Sequence, residues 1–161
     1  MIEVSWLAPK ELLRLHAAVA EELRAREITR SSNNPTGDLA EYLLCKAFQW
    51  VRADNSHRNI DAIGTDGLRY QIKGRRRTRY NKSRQLGAIR DFPGHHFDFL
   101  AGVLFTEDYE VFRAAIIPYA VVEMRATFVP HTNSHKFMLH NDVWNAEGVR
   151  DVTAELNAVV F

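Results

Sequence analysis

Asn59-Ile60-Asp61-Ala62-Ile63-Gly64-Thr65-Asp66-Gly67-Leu68-Arg69-Tyr70-Gln71-Ile72-Lys73 reads as two short strands, about Asn59–Gly64 and Leu68–Lys73, closed by the turn Thr65-Asp66-Gly67. A three-residue hairpin loop with glycine in the left-handed position is a common connection, and Gly67 supplies that glycine. This loop length fixes the register and sets Asp61 opposite Gln71. Side chains alternate along a strand, so Gln71 and Lys73 share one face while Leu68, Tyr70 and Ile72 take the other. Asp61, Gln71 and Lys73 are thereby expected on a common face, and a register slip of one residue would scatter them.

Upstream, the spacing predicts a helix from about Thr36 to Phe48, whose stripe of Leu39, Ala40, Leu43, Leu44, Ala47 and Phe48 meets the core. Glu41 falls just beyond the edge of that stripe. An earlier amphipathic helix is predicted from Pro9 to about Ile28, with Leu12, Leu15, Val19 and Leu23 at helical spacing. Ser31-Ser32-Asn33-Asn34-Pro35 is the loop between the two helices. Downstream, Phe97–Phe105 and Val111–Ile117 read as antiparallel strands. Pro118 opens a helix through Met124, Lys136–Leu139 forms a short strand, and Val149–Val159 forms a closing helix. One mixed sheet flanked by helices is the simplest packing of this order, a single α/β domain over residues 1–161. Its parts are an N-terminal helix and loop (1–34), a core (35–125), and a C-terminal strand and helix (126–161).

Composition fits a soluble globular domain: of 161 residues, 46% are hydrophobic and 25% charged, which excludes a disordered tail or a low-complexity chain. Cys45 is the one cysteine, so no intramolecular disulfide and no cysteine-based zinc site can form. It is expected to be an inert, half-buried thiol. No apolar run approaches the roughly 20 residues of a bilayer span, and Met1–Lys10 does not resemble a signal peptide. A cytoplasmic protein with no membrane partner is expected.

The net charge of +1 conceals a segregation. Between Gly67 and Arg90 stand nine basic residues and no acidic one, leaving twelve basic against twenty acidic elsewhere. Such a concentration attracts polyanions through counterion release, and Tyr70 and Tyr80 are interleaved for stacking on bases. Arg75, Arg76, Arg77, Arg79, Lys82 and Arg84 are the expected phosphate contacts. The competing reading is a solvated basic loop.

Hydrolysis of a phosphodiester requires an oxygen-ligated divalent ion, a positioned water and stabilisation of developing charge. Asp61 is the expected anchoring ligand, with the Gln71 amide oxygen, the Ile72 carbonyl and Glu41 around the same ion. Lys73 would orient water or stabilise charge. The ordinary alternatives are a cross-strand ion pair for Asp61 and Lys73, a solvated flank for Glu41 and a cross-strand hydrogen bond for Gln71.

Gly37-Asp38-Leu39-Ala40-Glu41, Asn59-Ile60-Asp61-Ala62-Ile63 and Gln71-Ile72-Lys73-Gly74-Arg75 together resemble the PD-(D/E)XK nuclease superfamily, in its glutamine-variant branch. The resemblance covers about Pro35 to Arg79. It implies a restriction-endonuclease-like fold, Mg²⁺-dependent cleavage of DNA with Mn²⁺ as a substitute, and catalytic roles for Glu41, Asp61, Gln71 and Lys73. Ile60 replaces the proline before Asp61, and Gln71 replaces the usual second acid. A domain of this size cutting both strands would act as a homodimer. Two rivals stand beside this reading: a nuclease-fold protein that binds nucleic acid without cutting, and an antitoxin- or immunity-like module whose basic loop meets an acidic protein. His95-His96, His131, His135 and His140 would suggest an HNH or zinc site only if His131 and His135 shared a helical face. Trp6, Trp50 and Trp144 are expected in the core or at its edge.

Overall fold

The computed structural model describes residues 2–31, 33–54 and 59–161, so that Met1 and Ser32, each part of a segment read above, lie outside the described residues. Two helices, α1 (Pro9–Ala25) and α2 (Thr36–Phe48), precede β1 (Val51–Arg52), β2 (Ala62–Ile63) and β3 (Arg69–Arg76). There follow β4 (Gln85–Arg90), β5 (Phe99–Phe105), β6 (Val111–Pro118) and α3 (Tyr119–Arg125). The chain ends with β7 (Thr127–Val129), β8 (Ser134–Met138), β9 (Arg150–Asp151) and α4 (Thr153–Asn157). Six strands form one mixed sheet in the order β1-β2-β3-β5-β6-β9, in which β3 and β5 run parallel and the other neighbours antiparallel. The domain is α/β, with the sheet flanked by helices as expected.

The hairpin has the register read from its turn: Ala62 pairs with Tyr70 and Ile63 with Arg69. Gly67 adopts φ +81°, the left-handed conformation that a Cβ disfavours, and its N–H donates to the Gly64 carbonyl at 3.0 Å. Beyond the hairpin, β3 continues through the basic run to Arg76 because it gains β5 as a second neighbour, up to the pair Arg76–Phe105.

Two apolar cores lie on opposite faces of the main sheet. On one, Leu39, Ala40, Leu43 and Leu44 of α2 pack on Tyr70, Ile72, Ala101, Val103 and Phe105. Gly74 permits this approach: a Cβ there would sit 2.6 Å from the Thr36 carbonyl oxygen and 3.2 Å from the Ala40 Cβ. Phe48, Trp50, Tyr70 and Phe99 stack in succession, with ring centroids 5.2, 3.7 and 5.6 Å apart. Each such contact contributes about 0.5–1.5 kcal/mol beyond its buried area. Tyr70 is therefore a core residue, buried in this stack and withdrawn from any base; Tyr80 is exposed.

The other core rests on a second sheet, ordered β4-β8-β7, which the sequence pattern did not announce. Leu86 and Ile89 of β4 and Phe137 of β8 pack with Leu139 on Leu100, Leu104 and Ile117 of the main sheet. The stretch read as a basic loop thus becomes a strand after Arg84. The expected closing helix divides into β9 and the short α4. Of the α1 stripe, Leu23 packs against the core, whereas Leu12, Leu15 and Val19 remain exposed. Trp6 departs from expectation: it is 75% exposed, ahead of α1 and away from both cores. Among the described residues no helix is long and apolar enough to cross a membrane.

Candidate functional site

The site is built where α2 meets the end of the β2–β3 hairpin. Asp38, in the first turn of α2, accepts hydrogen bonds from the backbone N–H groups of Arg30 and Ser31 at 3.0 and 3.1 Å and from the Ser31 hydroxyl at 3.2 Å. A carboxylate is favoured at a helix N-terminus, and here it also fastens the interhelical loop. Glu41 lies three residues on, on the same helical face. The fastened loop delivers the Arg30 guanidinium to the Glu41 carboxylate, with which it forms an ion pair. Arg52 of β1 anchors nearby, donating to the Asp38 carbonyl at 3.1 Å.

Glu41 has a side chain only 13% exposed. Burial raises its pKa above the usual glutamate range, the Asp61 carboxylate raises it further, and Arg30 and Arg52 oppose both. A second carboxylate facing Glu41 in a partly dry space is an arrangement that a cation relieves.

Asp61 immediately precedes β2 and is half-buried. Its N–H donates to the Tyr70 carbonyl at 2.9 Å, and its Oδ2 accepts the Ile72 N–H at 2.7 Å. The carboxylate thus takes a ladder donor at the strand's end. This refines the expectation of a common face: Gln71 and Lys73 share one, but Asp61 turns its carboxylate toward the plane between the two strands. The reason is local, since an unused strand N–H attracts the nearest charged acceptor. In a strand the N–H and C=O of one residue point to the same side, so the Ile72 carbonyl is directed toward β2 as well.

Gln71 is 4% exposed, and its Oε1 has no hydrogen-bond partner among the described residues. A buried acceptor left unpaired costs about 1–3 kcal/mol, which makes it a candidate ligand for something outside the chain. Lys73 is half-buried on the same face, beside Gly102 of β5. Gln71 pairs with Leu100 and Lys73 with Gly102, on the sheet face opposite the one that α2 covers, so the structure does not bring them together with Glu41. Asp61 and Glu41, with the Ile72 carbonyl at the hairpin end, are oxygen donors of the kind that fits a hard divalent cation keeping much of its water shell. Among the described residues no group of three or more His, Cys, Asp or Glu is placed to hold a metal.

The basic run separates onto different surroundings. Arg76 donates through Nε and an Nη to the Glu107 carbonyl at 2.8 and 2.6 Å and lies 4.4 Å over the Tyr109 ring. Arg79 reaches the Glu107 carboxylate at 3.3 Å. Lys82 is exposed, Arg75 and Arg77 are half-buried, and Arg84 donates to Asn141 Oδ1 at 2.5 Å. Arg113, beside Asn141 and Asp151, is a charged group of this region that lies outside the basic run, and Arg30 is one beside Glu41; only the β6 pairing and the folded loop bring them to those places.

Burial pushes the Cys45 thiol up to about 11, in keeping with an inert thiol. His131 belongs to a 3₁₀ turn and His135 to β8, so no helical face joins them. His95 stacks on Tyr119 at 3.7 Å, and His96 contacts Asp91 at 2.5 Å. Trp50 and Trp144 are half-buried, as expected; Trp144 Nε1 donates to the Ala114 carbonyl at 3.3 Å. No family model matches the chain, and no curated protein matches it.

Proposed function

We propose that the protein is a Mg²⁺-dependent endonuclease of the PD-(D/E)XK type that hydrolyses phosphodiester bonds in DNA. The observation that supports this reading best is the approach of the Asp61 and Glu41 carboxylates at the hairpin end, next to the strand that carries Gln71 and Lys73. Asp61, Glu41 and the Ile72 carbonyl would hold the ion. When bound, the ion polarises the phosphate and lowers the pKa of a coordinated water. Asp61 fixes the site to the sheet through the Ile72 amide, and Glu41 brings a second carboxylate from α2. Lys73 donates to the attacking water or to charge developing on the phosphate oxygens. The neighbouring guanidinium groups hold the DNA backbone, and double-strand cutting would take two copies of the chain.

A second reading draws on one observation. Arg30 already pairs with Glu41, and a cation held by Asp61 and a main-chain carbonyl alone would bind weakly. In that case the protein binds nucleic acid without cutting it. Nicking of supercoiled plasmid in Mg²⁺ or Mn²⁺ separates the two. Metal-dependent cutting by wild type that is lost in both Asp61→Ala and Lys73→Ala supports the nuclease. Cutting that persists in both variants removes this site from the reaction.

A further inference from the structure

Along the outer half of β3, side-chain alternation places Arg75 on the face of Gln71 and Lys73, and Arg77 continues that row just past the strand. Arg75 neighbours Leu104 of β5, which neighbours Arg113 of β6, so these two guanidinium stems lie one strand apart on the same face. The small sheet brings Arg84 to the same rim, at the entrance to β4. Phe112 is 43% exposed there and sits between two cations: the Arg77 guanidinium lies 4.6 Å from its ring centroid and that of Arg84 5.5 Å. Arg84 and Arg113 both donate to Asn141 Oδ1, at 2.5 and 3.3 Å.

This cluster is undercompensated. Asp151, 3.5 Å from Arg113, is its one carboxylate contact among the described residues, and Asn141 organises two of the arginines without supplying charge. The Nε atoms of Arg75 and Arg77 are buried and have no partner among the described residues. The Arg84 guanidinium is destabilised by burial and by the nearby charges of Arg77 and Arg113. By contrast, Arg76 and Arg79, from the same run, are satisfied by Glu107.

We infer that Arg75, Arg77, Arg84 and Arg113, gathered around Phe112, form a subsite for the phosphodiester backbone of a nucleic acid, and that Arg76 and Arg79 stand outside it. The inference deepens the nucleic-acid reading above and rests on it. At about 3.3 Å per residue, Arg77 lies roughly 13 Å along the sheet from Lys73, so the subsite grips the strand away from the bond that is cut. Planar guanidinium forks suit phosphate oxygens, and the Phe112 ring holds the Arg77 and Arg84 guanidinium groups around it.

The test is binding of a fluorescein-labelled DNA duplex in EDTA, read by anisotropy over a series of salt concentrations. Cleavage plays no part in this readout, so failure of the metal site leaves it interpretable. Arg77→Ala and Arg84→Ala are each expected to weaken binding about tenfold and to reduce the salt slope by about one. Arg84→Lys is expected to keep the slope while losing part of the affinity, and Arg79→Ala to stay within about twofold of wild type. Unfolding midpoints establish that each variant is folded. The inference is overturned if wild type binds no duplex at low salt, if Arg79→Ala loses as much as Arg84→Ala, or if an acidic peptide competes as well as DNA does.

Discussion

Arg30, from the loop between α1 and α2, pairs with the carboxylate of Glu41, the acid that α2 contributes to the candidate site. The pair opposes the burial and the Asp61 charge that raise the Glu41 pKa. Removing it by Arg30→Ala is expected to move the acid limb of cation binding to higher pH, because Glu41 then ionises later. Arg30→Lys, which keeps a positive charge, is expected to restore part of the shift. Mn²⁺ affinity measured across the pH range checks this; an acid limb unchanged in Arg30→Ala would make the pair a mere loop tether.

The same raised pKa has a consequence for stability. The folded protein holds the Glu41 proton more tightly than the unfolded chain does. Stability from this group is therefore fully present below the ordinary glutamate pKa and is lost as pH rises through the folded value. Glu41→Gln removes that loss. In metal-free buffer at pH 8 the variant is expected to melt no lower than wild type while binding Mn²⁺ more weakly. A lower melting temperature would place Glu41 among the residues that hold the fold together.

Gln71 is a buried acceptor without a partner. Gln71→Met keeps the volume and removes the unmet polar atom, so it is expected to stabilise the metal-free protein by about 1–3 kcal/mol. Gln71→Glu adds a charge and is expected to tighten cation binding while destabilising the metal-free protein at neutral pH, where a carboxylate without a partner is buried. Thermal melts with and without Mn²⁺ distinguish these effects.

Gly74 sets the distance between α2 and β3. Gly74→Val would force a Cβ to 2.6 Å from the Thr36 carbonyl, a contact with backbone that cannot swing aside. It is expected to cost about 1–3 kcal/mol and to disturb Glu41 through the helix that carries it. Gly37→Ala, one residue into α2 with nothing within 4 Å of the added Cβ, is expected to stabilise by about 0.5–1 kcal/mol. Chemical denaturation of both variants tests the contrast.

The hairpin was legible because its turn chemistry fixes its register: the three-residue loop ending in Gly67 sets Ala62 opposite Tyr70 and Ile63 opposite Arg69. Helix α2 was legible because one apolar stripe runs its full length. The second sheet was not. Leu86 and Ile89 are the buried residues of β4, three apart across an irregularity in its pairing with β8, so the period-two signal of a strand is broken where the basic run ends. The Arg30–Glu41 pair also escaped sequence reading, since it depends on Asp38 folding the loop back over the helix. The Asp61 carboxylate was expected on the face of Gln71 and Lys73 and instead accepts the Ile72 N–H, because alternation describes strand interiors and Asp61 stands at a strand end.

Absence of cleavage could reflect an unmet target sequence, so equilibrium Mn²⁺ binding tests the cation site more directly than activity does. Wild type titrated in metal-free buffer at pH 8 is expected to bind a single Mn²⁺ per chain with saturation by millimolar metal, and Asp61→Ala is expected to lose that binding while remaining folded. No saturable binding at millimolar Mn²⁺, or the same isotherm from Asp61→Ala, would contradict a cation site built on Asp61.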